Sequence, residues 1–506
     1  MASQARRFLA VGLDGATFDL LDPLMAAGDL PFLKSLQTGG VRARLRSVFP
    51  PKTIPAWYSF ATGLDPGALG VFGFTEPDGG PGRSRVVPTY RPAEALWDRL
   101  SRLGHPVGVL NFPVRNGHPV FGFIVPGMLT EEPTTYPEAL KRDMELALQE
   151  PFLFELPLFH ETNRGEWIDF ANRAVAQHVR HAEYLIERFR PEFLFVLIRE
   201  TDRIQHALWD QLEAPVERIP EDLRAFYRGV DRACAQIDRA FRSLGDPLTT
   251  LILSDHGHGA AHADFFTNRW LEREGYLVFQ GDAGRTDWRR LLLTRLLLAA
   301  DRFGLSDRLL KPLADRLRGP GARERVNRLL TGELSFEALA PQIDWQRTVA
   351  YSYPVPEGIY LNPHNPSLTE EKRGQVVAEI RHRLESLPGA RVEVLEPRAI
   401  YRGGNLDRAP ALFLRVNDLA TETRMDFSYP EPMLASRPRY FYGAGVHRMD
   451  GIFLLKDDEP RRGEPKDVPT TISLLDVAPT ILESMGVDVP ASMHGRSVAR
   501  EAGLVA

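Results

Sequence analysis

Six acidic and imidazole side chains lie beside apolar runs of strand length: Asp14, Asp202, His206, Asp255, His256 and His447. Asp202 and His206 are four residues apart, so a helical turn would direct both side chains at one ion. Asp255 and His256 are adjacent, and a bend at the end of a strand could direct both at one ion. Zinc accepts imidazole nitrogen and carboxylate oxygen, and paired divalent ions suit phosphoryl transfer. The pattern therefore favours a two-metal site.

Each of these residues alone also has an ordinary structural explanation. An aspartate at a strand end is commonly a turn or cap residue, and a single histidine is commonly a surface or core residue. Three separate strand ends that each carry such side chains are harder to explain in this way.

Thr53 has the sequence context of a helix start, because Pro55 suits the first turn of a helix. In one interpretation its hydroxyl only caps the helix, which stabilises by about 1 kcal/mol. In the other, a metal ion lowers the pKa of the hydroxyl and makes Thr53 a nucleophile. The N–H groups at the helix start would then face a phosphoryl oxygen. The local sequence leaves both interpretations open.

Strands and helices must position these residues. Apolar runs without alternation occur at 8–13, 107–110, 193–198, 248–253, 359–361 and 451–455. Amphipathic stretches separate them, at 167–189, 221–243, 370–387 and 474–485. This alternation predicts an α/β fold with a doubly wound, mostly parallel sheet covered by helices on both faces. Ligands of such sheets bind at the carboxyl ends of the strands. The segment at 451–455 brings His447 to that edge only through its loop, or if its strand runs antiparallel.

Two segments do not fit the alternation. The region from 288 to 339 has Leu and Arg at helical spacing and predicts a helical cap. We therefore assign residues 1–275 and 345–506 to the catalytic core and 276–344 to the cap insertion. Residues 130–165 form a smaller predicted insertion within the core.

Composition limits the classes of function. The net charge of −5 among 506 residues gives no general attraction to nucleic-acid polymers. The single cysteine, Cys234, excludes an intrachain disulfide. No signal-peptide pattern and no membrane-length apolar window is present, so we expect a soluble, cytoplasmic protein.

The motifs as a set resemble the alkaline phosphatase superfamily, and most closely its nucleotide pyrophosphatase/type I phosphodiesterase branch. The resemblance spans nearly the whole chain apart from the insertions. It rests on the sequences GLDG at 12–15, FPPKTIP at 49–55, ATGL at 61–64, TDRIQH at 201–206, SDHG at 254–257, HRMDG at 447–451, DVAPTIL at 476–482 and MHGRS at 493–497.

The resemblance implies an alkaline phosphatase-like fold and two divalent metal ions, zinc or else manganese. One ion would be bound by Asp202, His206 and His447. The other would be bound by four residues: Asp14, Thr53, Asp255 and His256. Thr53 would attack phosphorus and form a phospho-enzyme that water then hydrolyses. The competitors for a ligand role are His258, His262 and His494, and we prefer His447 over them.

The chain departs from the branch in the substrate pocket. An Asn that contacts a phosphoryl oxygen is expected about twenty residues after the nucleophile, and Phe74 occupies that stretch. Asn111 could supply a donor instead, or could be a turn residue before Pro113. Lys52 could assist phosphate binding, or could be an exposed lysine beside a turn.

We expect a metal-dependent phosphoric ester hydrolase of the phosphodiesterase/nucleotide pyrophosphatase type that acts on a small-molecule phosphoester. A phosphonate hydrolase or a phosphomonoesterase of the same superfamily is an alternative. A sulfatase is disfavoured because the nucleophile segment, residues 53–57, has no Arg. A binding protein with a vestigial metal site is the non-enzyme alternative. The sequence leaves the oligomeric state open.

Overall fold

The computed structural model describes residues 6–505 except 81, 88, 91, 115, 129–132, 154–163, 246, 282–334, 428, 430, 435–442 and 460–467. The chain divides into two compact units. The first comprises Met1–Val71, Pro88–Gly259 and His447–Ala506, and the second comprises Phe72–Val87 and Ala260–Val446.

The strands are numbered in chain order. They are β1 (Arg7–Leu13), β2 (Val41–Arg46), β3 (Thr75–Pro77), β4 (Ser84–Val86), β5 (Val107–Phe112), β6 (Gly122–Pro126), β7 (Phe193–Ile198), β8 (Leu248–Leu253), β9 (Gly257–Ala260), β10 (Ala263–Phe266), β11 (Ala350–Tyr351), β12 (Gly358–Leu361), β13 (Val392–Leu395), β14 (Leu412–Val416), β15 (Thr421–Arg424), β16 (Met433–Leu434), β17 (Gly445–Arg448), β18 (Asp450–Asp457) and β19 (Thr471–Ser473).

The α-helices within the described ranges follow the same order. They are α1 (Phe18–Ala26), α2 (Pro31–Gln37), α3 (Thr53–Thr62), α4 (Pro66–Leu69), α5 (Leu96–Arg102), α6 (Leu140–Leu148), α7 (Arg164–Phe189), α8 (Glu200–Leu212), α9 (Glu221–Arg242), α10 (Thr267–Arg273), α11 (Phe336–Leu339), α12 (Glu370–Glu385), α13 (Pro397–Ile400) and α14 (Val477–Ser484).

The first unit is built on a sheet whose described strands lie in the order β19-β2-β18-β8-β1-β7-β5-β6. Strand β1 pairs in parallel with both β7 and β8, and β5 pairs in parallel with β6 and β7. Strand β18 is antiparallel to both of its neighbours, β2 and β8. Every residue of β1, β5, β7 and β8 is buried. A sheet covered on both faces requires such strands, and the predicted mostly parallel α/β fold is confirmed.

Strand β2 was not predicted from the sequence. Its residues alternate between buried and exposed positions, with Arg42, Arg44 and Arg46 exposed. A search for continuous apolar runs does not detect a strand that has one solvated face.

The second unit has its own sheets and its own hydrophobic core. One sheet has the order β11-β12-β14-β13, and all three of its pairings are antiparallel. Ile359, Ile380 and Leu412 are fully buried in this core. The apolar run at 359–361 is therefore a strand, as predicted, but it belongs to this antiparallel sheet and not to the parallel one.

The predicted domain boundaries remain a prediction, and the compact units divide the chain differently. Residues 345–446, which were predicted to belong to the catalytic core, lie in the second unit. Most of the predicted cap at 276–344 lies outside the described residues, because 282–334 are not described. In the predicted insertion at 130–165, the described part contains α6. Among the described helices, none is both long and apolar enough to cross a membrane.

Candidate active site

The strand ends of the first unit bring the predicted site residues together. Asp14 follows β1, Asp202 lies in the first turn of α8 after β7, and Asp255 follows β8. These three strands are parallel, so their carboxyl ends lie at one edge of the sheet. His447 precedes β18, and because β18 is antiparallel to β8 its start lies at that same edge. The antiparallel alternative considered for this segment is thus the observed one.

Asp14, Asp255 and His256 form a first group, which we call the carboxylate pocket. All three are buried, and one ligand atom from each lies within 4.8 Å of the others. The His256 Nε2 atom is 3.2 Å from Asp255 Oδ2 and 3.6 Å from Asp14 Oδ1. None of these three atoms has a hydrogen-bond partner among the described residues. Buried polar atoms are normally paired, so three such atoms facing one another fit a bound cation.

Burial sets the charge states in the carboxylate pocket. It raises the pKa of Asp14 well above the usual value, and the negative charge of Asp202 adds to the effect. Burial also raises the pKa of Asp255, with a further contribution from Asp14. For His256, burial disfavours the imidazolium and lowers the pKa well below its usual value. A cation bound here would offset the unfavourable charge of the two carboxylates.

Neighbouring groups fix the orientation of each side chain in this pocket. The Trp57 indole N–H donates to Asp14 Oδ2 at 3.1 Å, which leaves Oδ1 unpartnered within the described parts of the chain. The Gly15 N–H donates to Asp255 Oδ1 at 3.2 Å. The His256 Nδ1–H donates to the Gly257 carbonyl at 3.1 Å, which leaves Nε2 as the lone-pair nitrogen. Such partners commonly orient metal ligands.

Asp202, His206, His258 and His447 form a second group, which we call the imidazole pocket. The Asp202 Oδ1 atom lies 3.3 Å from His447 Nε2, 3.4 Å from His206 Nε2 and 3.6 Å from His258 Nδ1. The Nε2 atoms of His206 and His447 are 2.8 Å apart. The ring of His256 stacks on that of His447, with centroids 3.6 Å apart, so the two pockets adjoin.

Burial and neighbouring charges act in opposite directions on the groups of the imidazole pocket. Burial lowers the pKa of His258 and that of His447. Burial alone would raise the pKa of Asp202, but His206 and His447 outweigh this effect and hold it well below its usual value. The His447 Nδ1–H donates to the Pro51 carbonyl at 2.6 Å, which again leaves Nε2 for a ligand role.

Residues on either side of Thr53 in the chain form hydrogen bonds with the two pockets. The Pro51 carbonyl binds His447, and Trp57, one helical turn after Thr53, binds Asp14. Thr53 is buried and is the first residue of α3, whose N-cap is Lys52 without a side-chain cap bond. Within the described residues, no helix-capping bond accounts for the Thr53 hydroxyl.

The other predicted residues lie in different settings. The Asn111 side-chain amide donates to the Leu197 carbonyl at 2.8 Å, so one donor of the predicted phosphate contact is already engaged. Phe74 belongs to the second unit and is 38% exposed. Lys52 lies near His447, whose pKa it helps to lower after the larger effect of burial. The His494 Nδ1 atom is 3.0 Å from Asp65 Oδ2, in a hydrogen bond separate from both pockets.

Both pockets have the chemistry of divalent-metal sites. Carboxylate oxygen and imidazole nitrogen are the donors that zinc and manganese accept. The three unpartnered atoms of the carboxylate pocket converge, and ligand atoms of Asp202, His258 and His447 lie within 4.8 Å of one another and of His256. The orienting role of Trp57 was not predicted from the sequence, because the contact with Asp14 joins residues far apart in the chain.

Comparison with known proteins identifies the family and the fold of the chain. The family model described as type I phosphodiesterase/nucleotide pyrophosphatase matches residues 8–430. Phosphonoacetate hydrolase from Sinorhizobium meliloti 1021, in complex with phosphonoformate, superposes with a TM-score of 0.55 at 16% identity, covering 94% of each chain. Murine ectonucleotide pyrophosphatase/phosphodiesterase 5 has a TM-score of 0.51 at 13% identity, covering 99% of this chain and 100% of the other. No curated protein sequence matches the chain.

Proposed function

Because the chain belongs to the type I phosphodiesterase/nucleotide pyrophosphatase family, we propose that it hydrolyses phosphodiesters through a phospho-threonine at Thr53. Family membership supports a hydrolase of phosphoester bonds. The single observation that carries the finer proposal is the position of Thr53, held between Pro51 and Trp57, each of which contacts one pocket.

Two divalent ions, zinc or manganese, fit the pockets. Asp14, Asp255 and His256 would bind one ion together with Thr53, and the imidazole pocket would bind the other. Such ions lower the pKa of hydroxyl groups and neutralise negative charge on phosphoryl oxygens.

In the first step, the Thr53 hydroxyl oxygen forms a bond to phosphorus and the bond to the leaving group breaks. The hydroxyl proton passes to solvent, and the leaving oxygen takes up a proton from water. In the second step, water attacks phosphorus and the bond to Thr53 Oγ1 breaks. The oxygen of Thr53 recovers a proton, and the phosphate monoester product leaves.

The start of α3 adds to the positive potential that faces the substrate. Pro55 has no N–H, and the Ala56 N–H already donates to the Lys52 carbonyl. Thr53 and Ile54 therefore supply the N–H groups at this helix end. The helix dipole and these groups favour a phosphoryl oxygen. The ammonium group of Lys52, next to this helix end, is a second proposed contact for the substrate.

A phosphonate hydrolase is the second candidate. It is favoured by the likeness to phosphonoacetate hydrolase, which is a likeness of fold. An inactive form of the murine neighbour has a structure in complex with AMP. Nucleotide esters should therefore be tested as substrates beside phosphodiesters and phosphonates. The cytoplasmic location expected from the sequence stays a prediction.

The direct test is rapid quenching of the metal-loaded enzyme with bis(p-nitrophenyl) phosphate, followed by peptide mass spectrometry. We expect a peptide in which Thr53 carries a p-nitrophenyl phosphoryl group, and neither this adduct nor turnover in Thr53→Ala. Thr62→Ala is the matched control, because Thr62 ends the same helix and its hydroxyl donates to the Tyr58 carbonyl. Wild-type turnover in Thr53→Ala would refute the nucleophile assignment.

A further inference from the structure

His258 is buried at the sheet edge without a hydrogen-bond partner among the described residues. His258 is 1% exposed, and within the described parts of the chain neither of its ring nitrogens has a hydrogen-bond partner. A polar ring in such a place normally has its nitrogens paired, because an unpaired buried donor or acceptor is unfavourable. The family-based ligand sets leave His258 without a role, so its position needs a separate explanation.

The local backbone explains why this ring reaches the site. His256 and His258 are two residues apart, and β9 begins between them at Gly257. Side chains at positions i and i+2 of a strand lie on the same side. The two ring centroids are accordingly 6.1 Å apart, and His258 lies 4.5 Å from the ring centroid of His206.

Three distances around Asp202 match those of a four-coordinate ion, whereas the Nε2 atoms of His206 and His447 lie closer together, at 2.8 Å. The Asp202 Oδ1 atom is 3.3, 3.4 and 3.6 Å from the nearest nitrogens of His447, His206 and His258. Bonds of zinc to nitrogen or oxygen of about 2.0–2.1 Å place two tetrahedral ligands about 3.3–3.4 Å apart. An octahedral ion with bonds of similar length would require neighbouring ligands only about 3.0 Å apart.

Gly15 leaves the space that this cluster needs. A Cβ at Gly15 would lie 2.8 Å from His258 Nδ1 and 3.0 Å from Asp202 Oδ1. The φ of Gly15 is +67°, so any other residue would also strain the backbone there. Glycine at this position therefore leaves open the space beside His258 Nδ1 and Asp202 Oδ1.

We propose that His258 is a ligand of the ion in the imidazole pocket, together with Asp202, His206 and His447. This assignment rests on the two-metal function proposed above and extends it. The pocket then offers three imidazoles and one carboxylate, whereas the carboxylate pocket offers one imidazole and three oxygen ligands when Thr53 is included. Imidazole suits zinc, and oxygen ligands suit manganese or magnesium, so the two pockets would differ in metal preference.

Zinc titration of the metal-free protein by calorimetry tests the assignment. In His258→Asn we expect one of two zinc affinities to fall by about 100-fold or more, beyond the range typical of residues that only orient a ligand. The other affinity should stay close to the wild-type value. His181→Asn is the matched control, because His181 is also 1% exposed but stacks on Phe152 away from the pockets. Unchanged affinities in His258→Asn would overturn the proposal.

A second measurement needs no variant and therefore does not depend on the folding of His258→Asn. The ring nitrogens of the 13 histidines are followed by nuclear magnetic resonance in ¹⁵N-histidine-labelled wild-type protein as zinc is added. We expect direct coordination shifts in four imidazoles, those of His206, His256, His258 and His447. Coordination of three imidazoles, with the His258 ring unaffected, would overturn the proposal.

Activity separates this proposal from the function on which it rests. A wild-type protein that binds two zinc ions through four imidazoles but hydrolyses no phosphoester would refute the function and support His258 as a ligand. An active wild-type enzyme with only three coordinated imidazoles would refute the role of His258 and leave the function intact.

Discussion

The carboxylate pocket and the imidazole pocket lie at the same edge of one sheet, yet their charges are arranged in opposite ways. In the first, two buried carboxylates share one imidazole, and burial raises the pKa of both Asp14 and Asp255. In the second, three imidazoles surround a single carboxylate, and the rings hold the pKa of Asp202 low. Burial therefore opposes ionisation of the two carboxyl groups in the first pocket, whereas the neighbouring imidazoles favour ionisation of the carboxyl group in the second.

This difference suggests different work for the two proposed ions. The carboxylate pocket is hydrogen-bonded through Trp57 to the helix that starts with Thr53, so its ion suits activation of the nucleophile. The imidazole pocket is hydrogen-bonded to the Pro51 carbonyl, just before Thr53 in the chain. One short segment thus couples both pockets to the same hydroxyl. Variants that damage one pocket at a time can separate the two roles.

The largest expected effect is the loss of a ligand from the carboxylate pocket. Asp255→Ala should lower turnover by more than about 1,000-fold and reduce bound metal from about two ions per chain towards one. Asp238→Ala is the control, since Asp238 is a buried aspartate that pairs with Arg242 outside both pockets. Metal content by mass spectrometry and steady-state rates provide the test. Full activity with two bound ions in Asp255→Ala would remove Asp255 from the site.

In the imidazole pocket, His447→Ala should weaken binding of one metal ion by about 100-fold. His494→Ala should leave metal binding intact, because the His494 ring pairs with Asp65 and not with the ligand cluster. Metal titration of both variants provides the comparison. The reverse ranking would transfer the ligand role to His494.

Trp57→Phe should have a smaller effect that is confined to the carboxylate pocket. Without the indole N–H, Asp14 can rotate, so we expect about 10-fold weaker metal binding there and little change in the imidazole pocket. Trp97→Phe is the matched control, because the Trp97 indole donates to the Tyr90 hydroxyl. Equal weakening of both pockets in Trp57→Phe would point to general loosening of the fold.

The last expected effect, no larger than that of Trp57→Phe, is a preference between substrates. A monoester dianion brings an additional negative charge towards the carboxylate pocket, whereas a diester carries one. We expect kcat/KM for bis(p-nitrophenyl) phosphate to exceed that for p-nitrophenyl phosphate by about 10-fold, or about 1.4 kcal/mol. A clear preference for the monoester, under the same metal and pH, would refute the diesterase assignment but not the role of Thr53.

The sequence predicted the strand ends of the site because the strands are continuous apolar runs. The positions of Asp14, Asp202 and Asp255 at one sheet edge follow from those runs. Local patterns did not reveal contacts between distant segments, such as that between Trp57 and Asp14. They also did not show that the amide of Asn111 would bind the Leu197 carbonyl. His258 stood among the competitors but outside the ligand set, because the family resemblance supplied that set and the strand geometry of β9 was unknown.

The most direct test of two pockets with two metals is anomalous X-ray scattering from crystals of the metal-loaded protein. Data collected at the zinc and manganese absorption edges would locate each ion and identify it. We expect one ion bound by Asp14, Asp255 and His256, and a second, richer in zinc, bound by Asp202 and its surrounding imidazoles. A single ion, or two ions bound elsewhere, would contradict the account.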